Sequence, residues 1–182
     1  KEADLVNPTT LAWDEAGHIS WHSELYNSRA KGFCGDVDGG GHTIYGLYYR
    51  EGNFAGLIPV AADSTNVYNL NLKNSFIRAN GNPTGAAAGG IIGLVSGAGN
   101  NRSTANVTYC KVNNSAIVAD HSQIWRISAV VGGGYNEGKV VVSNCGVTNM
   151  QMTTINPDTV NRTGAFIGST TYTNHEVTNC YS

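Results

Sequence analysis

The residues of this chain that could do chemistry are four cysteines, five histidines and a thin scatter of carboxylates among 182 residues. Cys110, Cys145 and Cys180 stand at equal intervals (145 − 110 = 35 and 180 − 145 = 35). No Cys-x-x-Cys pair is present, so their spacing matches no zinc pattern. The stretch GDVDGGGH brings Asp36, Asp38 and His42 together. That set suggests a calcium site or an acid/base pair, but it lacks the further oxygen ligand and distal Glu of a calcium loop. Asp38 before three glycines reads instead as a tight turn. His18 and His22 are four apart, but Ile-Ser-Trp lies between them where a metalloprotease helix carries its Glu. No Ser or Cys sits in a nucleophile elbow. The carboxylates do not recur on one face as the pair for glycoside hydrolysis would. Arg78, Arg102, Arg126 and Arg162 fall between strand-like stretches without clustered aspartates, which a β-helical lyase would need. The expectation is therefore no catalytic residue, no metal site and no cofactor.

The aromatic residues point to binding instead. Tyr45, Tyr48 and Tyr68 alternate with inward positions, which predicts that they face outward near one another. Trp125 lies in the one large insert, ADHSQIWRIS. Aromatic faces stack on sugar rings or fill pockets of partner proteins, and ordinary cross-strand pairing is the alternative use.

Composition bounds what must position these side chains. The chain holds 23 glycines, only 13% charged residues and many Asn and Thr, a mix that favours turns and strands over helices. A net charge of −2 gives no electrostatic basis for binding nucleic acid or an anionic membrane. No run is long enough for a membrane helix, and the start KEADLVNPTT has no signal-peptide core. A piece of a larger polypeptide is expected.

Repeats supply the architecture. A β-former, two residues, an Ω position, one residue and a second β-former recur. The phrase runs through Ile44/Leu47/Tyr49, Val67/Leu70/Leu72, Val107/Cys110/Val112 and Val142/Cys145/Val147, then Val177/Cys180. A small-apolar-apolar-Gly phrase interleaves with it at 55–59, 89–93, 128–132 and 164–168. Asn74, Asn114 and Asn149 follow with the same intervals. Units of this length are in the solenoid range. Each short strand pair buries its apolar face only by stacking on the next copy, ~4.8 Å away. This predicts an all-β fold, a parallel β-helix of about four coils built from 32–182, with 1–31 capping its first coil. Leu47, Leu70, Cys110, Cys145 and Cys180 are expected to form one inward ladder. A position that takes Leu or Cys suits a buried free thiol, and stacked neighbours also fall within disulfide reach. Cys34 lies outside this ladder. The sequons at Asn101, Asn106, Asn113 and Asn161 read as by-products of Asn-rich turns.

The stretches FCGDVDGGGHTIYGLYY, FAGLIPV, NVYNLNLKNSFI, GGIIGLVSG and VTYCKVNNSAI resemble the GLUG-repeat proteins of bacterial surfaces. The resemblance covers about 32–182, and Asp38 to Ile44 is its most specific part. It implies a right-handed β-helix that is one module of a secreted or wall-anchored protein, of the kind found in adhesins and beside peptidase domains. Pro59, where the family has Gly, and the insert carrying Trp125 depart from its pattern. The function expected on this basis is a non-catalytic extracellular repeat module on the bacterial cell surface, an adhesion element or a stalk. Its partner would be a glycan or protein ligand, without nucleic acid and without membrane insertion. The alternative is a carbohydrate-binding or carbohydrate-active domain on the same scaffold.

Overall fold

A computed structural model describes residues 32–50, 52–80, 86–96, 103–120, 124–135, 139–154, 162–171 and 174–182, with the backbone alone at 124, 125 and 171. The expected cap over 1–31, with His18 and His22, lies outside the described residues, as does Arg102. Among the described residues the regular structure is all strand. In chain order the strands are β1 (Phe33–Asp38), β2 (Thr43–Tyr45), β3 (Tyr48–Tyr49), β4 (Phe54–Ala55), β5 (Ile58–Tyr68), β6 (Asn71–Lys73), β7 (Phe76–Ala79), β8 (Ala86–Gly89) and β9 (Ile92–Ser96). They continue with β10 (Thr104–Thr108), β11 (Lys111–Ala119), β12 (Ile124–Ser128), β13 (Val131–Tyr135), β14 (Lys139–Ser143), β15 (Gly146–Thr154), β16 (Arg162–Gly164), β17 (Ile167–Thr171) and β18 (Asn174–Thr178).

Each strand pairs in parallel with the strand one repeat later, and the repeat positions come into register. In one ladder β1, the second half of β5, β10, β14 and β18 set Val37, Val67, Val107, Val142 and Val177 side by side. Across the next corner β2, β6, β11 and β15 align Ile44, Leu72, Val112 and Val147. Further along, β3, β7, β11 and β15 align Tyr49, Ile77, Ile117 and Met152. A fourth ladder, β4, β8, β12 and β16, aligns Ala55, Ala88 and Ile127. The fifth, from the first half of β5 through β9 and β13 to β17, aligns Ile58, Ile92, Val131 and Ile167. Columns from all five ladders meet in one apolar interior. Each fully buried Val, Ile or Leu there contributes roughly 1.5–3 kcal/mol.

The corners explain two recurrent phrases. Asn69, Asn144 and Asn179 bend one corner in the left-handed conformation, with φ of 56°, 52° and 52°. Asn74, Asn114 and Asn149 bend the next, with φ of 54°, 45° and 50°. Asn tolerates this region better than other residues with a Cβ, because its short side chain bonds locally. The small-apolar-apolar-Gly phrase marks a place where backbones touch. A Cβ at Gly132 would lie 2.5 Å from the Gly93 carbonyl oxygen and 2.6 Å from that of Ala88. Pro59 stands where the phrase predicts Gly. Its neighbours Ile58 and Val60 pair with Ile92 and Leu94 of β9, and the Ile58 N–H bonds the Ile91 carbonyl oxygen at 2.8 Å.

One expected alignment is corrected. Leu47 is buried but does not join the Leu70/Cys110/Cys145/Cys180 column; its amide bonds the Ser75 hydroxyl at 3.2 Å, one corner further on. The first position of the opening unit is Val37, not Ile44. Val37 pairs with Val67 and Ile44 with Leu72, so the first corner spans 44 − 37 = 7 residues where the next spans 72 − 67 = 5. The two extra residues belong to the Gly39-Gly40-Gly41 turn. They shift the chain past the ladder position, which Leu47 then matches by type alone.

Candidate functional site

The cysteine column lies inside. Cys110 and Cys145 are fully buried and Cys180 is partly so; all four cysteines of the chain, Cys34 included, are free thiols. The Cys110 amide donates to Cys145 Sγ at 3.4 Å, and the Cys145 amide to Cys180 Sγ at 3.5 Å. The hydrogen bond with Cys110, and then burial, push the Cys145 thiol well above the ordinary thiol range. Burial pushes Cys180 up as well. Leu70 fills the same column beneath Cys110, and Lys111 N–H bonds its carbonyl oxygen at 2.9 Å. The column packs as small apolar groups.

The predicted aromatic face divides. Tyr45 is exposed, and the Lys73 ammonium lies 5.8 Å from its ring centroid. Tyr68 is half-buried on a different sheet. Tyr48 is not available as predicted. It is 6% exposed and stacks on Phe76 at 5.5 Å, in a cluster continued by Ala116 and Val118. Alternation places it correctly on the side opposite Tyr49, but that side is covered too. Burial raises the Tyr48 hydroxyl pKa, and the Arg78 guanidinium partly offsets this. Tyr49 points inward and donates its hydroxyl to the Phe54 carbonyl at 3.0 Å; burial pushes its pKa up to about 12. The side chain of Trp125 lies outside the described residues, although its backbone belongs to β12.

The charged candidates are drawn into structural roles. Asp38 Oδ1 accepts the Gly40 amide at 2.9 Å, two residues on, which is the turn its neighbouring glycines predict. Arg78 pairs with Asp120. Arg162 donates to the Ser169 hydroxyl at 3.1 Å, while Arg126 is buried with its guanidinium 5.8 Å from the Tyr135 ring. Among the described residues no three His, Cys, Asp or Glu side chains gather as a metal site.

What the structure does assemble is a row that residue types alone leave hidden. Asp36, Asn66 and Asn106 are register partners on β1, β5 and β10. Asn106 Nδ2 donates to Asn66 Oδ1 at 2.8 Å, and Asn66 Nδ2 donates to Asp36 Oδ1 at 2.6 Å. The row is polar in direction, and a carboxylate, which only accepts when ionised, ends it. Beside it run Asp38, Tyr68 and Thr108 at the next outward position. The Asp36–Asn66–Asn106 row, Tyr68, Thr108 and Tyr109, which is 61% exposed, line a shallow depression of about 400 Å³. The depression offers oriented amide and carboxylate groups at ~4.8 Å steps against phenol rings, a surface for hydrogen-bonding and stacking. The available signal was the triplet of Asp36, Asn66 and Asn106 at equivalent repeat positions, readable only once the register of β1 is known.

No family model, no curated protein and no solved structure matches the chain.

Proposed function

We propose that the chain is a right-handed parallel β-helix of about four coils, capped at its N-terminus, that serves as a non-catalytic repeat module of a bacterial cell-surface protein akin to the GLUG-repeat proteins. Its role is adhesion or support. The observation that carries this reading is the register: five parallel ladders repeat the same inward columns from β1 to β18, around an interior of aliphatic side chains and thiols. Such a body is elongated by repetition and presents the same outward positions at regular steps, the property a stalk or a multivalent adhesin needs. No helix among the described residues is long and apolar enough to cross a membrane.

The test is antibody labelling of intact source cells with serum raised against the purified chain. Labelling before permeabilisation is expected. Signal only after lysis overturns the surface assignment. The carbohydrate-binding reading has its own support in the polar and aromatic lining of the depression.

A further inference from the structure

Four residues occupy the same corner in successive repeats: Asn69, Tyr109, Asn144 and Asn179. All four are left-handed, and Tyr109 has φ 54°. Their amides make equivalent bonds, from Asn69 to the Thr108 carbonyl, from Tyr109 to that of Ser143 and from Asn144 to that of Thr178. The backbone takes the same conformation at all four, whereas Gly39, whose amide makes the equivalent bond to Tyr68 at the irregular first corner, is not left-handed. Asn accepts it readily; Tyr, with a bulky side chain, does not. Packing does not compensate, because the Tyr109 side chain is 61% exposed. A strained residue whose side chain is given to solvent points to use outside the chain.

Tyr109 does not stand alone. Its ring borders the depression that also holds Tyr68, Thr108 and the Asp36–Asn66–Asn106 row. The amides of that row are fixed by each other, and by the ordinary capacity of an amide Asn66 and Asn106 each keep a second N–H for a ligand. The Asp36 carboxylate has further lone pairs. Oriented pairs of donors and acceptors next to one exposed ring, Tyr109, and one half-buried ring, Tyr68, match a molecule with vicinal hydroxyls on one side and aliphatic C–H faces on the other. The carboxylate disfavours an anionic ligand. The strand step of ~4.8 Å is comparable with the length of one sugar ring, so neighbouring rungs can meet neighbouring rings.

We propose that this depression binds a neutral hexopyranose oligosaccharide, with Tyr109 and Tyr68 stacking on sugar faces and the Asp36–Asn66–Asn106 row taking the hydroxyls. The proposal deepens the binding reading above by naming a site and a ligand class. Its test is independent of cell location, so failed surface labelling and failed sugar binding remain separate results.

The experiment uses the full purified chain on an array of neutral and acidic oligosaccharides, followed by calorimetry with the best neutral ligand. Tyr109→Asn restores the residue found at the other three copies of the corner. It is expected to raise the melting temperature and to weaken binding by up to roughly tenfold, the scale of one lost aromatic stack. Asn106→Ala is expected to weaken binding as well, and Tyr109→Phe to retain most of it. No binding to neutral glycans, binding confined to acidic ones, or undiminished binding by Tyr109→Asn would each overturn the proposal. A Tyr109→Asn protein that is less stable than the parent would also overturn it, because Tyr109 would then be holding the fold.

Discussion

The two left-handed corners of the repeat differ in what they do with the same residue type. At one, Asn74, Asn114 and Asn149 stack with their amides joined: Asn114 donates to Asn74 at 2.8 Å, and Asn149 donates to Asn114. Asn74 is buried at the base of this column. At the other, Asn69, Asn144 and Asn179 share the conformation, but Asn69 donates sideways to Asp38 at 3.3 Å instead of along the column. There one copy is Tyr109. Where the side chain is a rung, only Asn satisfies both φ and hydrogen bonding. Where it faces solvent, the backbone still prefers Asn but tolerates a replacement at a cost. The contrast separates a column under structural demand from a column with freedom to carry function.

The largest effect should come from the bonded column. Asn114→Ala places a Cβ residue without a local hydrogen bond at φ 45° and removes its amide hydrogen bonds to both neighbours. We expect a loss of about 2–3 kcal/mol in urea unfolding. A loss well below about 1 kcal/mol would mean that the amide stack contributes little beyond conformation.

The interior can be separated from the exposed corner by pH. Tyr49 is buried and its pKa rises to about 12, against about 10 when unfolded. Its neutral form is favoured by folding, so this stabilisation is complete below about pH 10 and is lost as the pH climbs toward 12, in total about 3 kcal/mol. Tyr49→Phe should remove that part of the alkaline loss while costing about 1 kcal/mol at neutral pH for the hydrogen bond to Phe54. An unchanged alkaline profile in the variant would show that Tyr49 titrates as if exposed.

Much of the ladder order was legible from spacing. Val67, Val107, Val142 and Val177, like Leu72, Val112 and Val147, recur at intervals that parallel stacking turns into neighbours. Leu47 was not legible, because the triple-glycine turn inserts two residues ahead of it and an apolar residue happens to land at the expected distance. Tyr48 was assigned its face by alternation, yet alternation carries no information about what packs on that face. The candidate site was hidden for two reasons. Asp36 joins Asn66 and Asn106 only through a register that the irregular first corner obscures. Tyr109 looks like one more tyrosine until its φ and those of the three asparagines at the same corner are compared.

In the column without joined amides, Asn144→Ala tests the cost of conformation without a bonded rung. Asn144 has φ 52° and its amide bond to Thr178 survives the change. The expected loss is about 1 kcal/mol, clearly smaller than at Asn114. Equal losses at the two positions would erase the distinction between the corners.

The smallest effect has the opposite sign. Tyr109→Asn should stabilise the chain by about 0.5–1 kcal/mol, because it relieves a left-handed tyrosine at little cost in buried area. A rise in the urea midpoint with an unchanged slope would locate the gain in the folded corner, not in a changed denatured state. This sign distinguishes the two uses of a surface tyrosine. A residue retained for packing loses stability when replaced, whereas one retained for a ligand gains it and gives up affinity. A measured loss would place Tyr109 with Tyr48 and Phe76 as part of the protein's own packing and leave the Asp36–Asn66–Asn106 row without its aromatic neighbour.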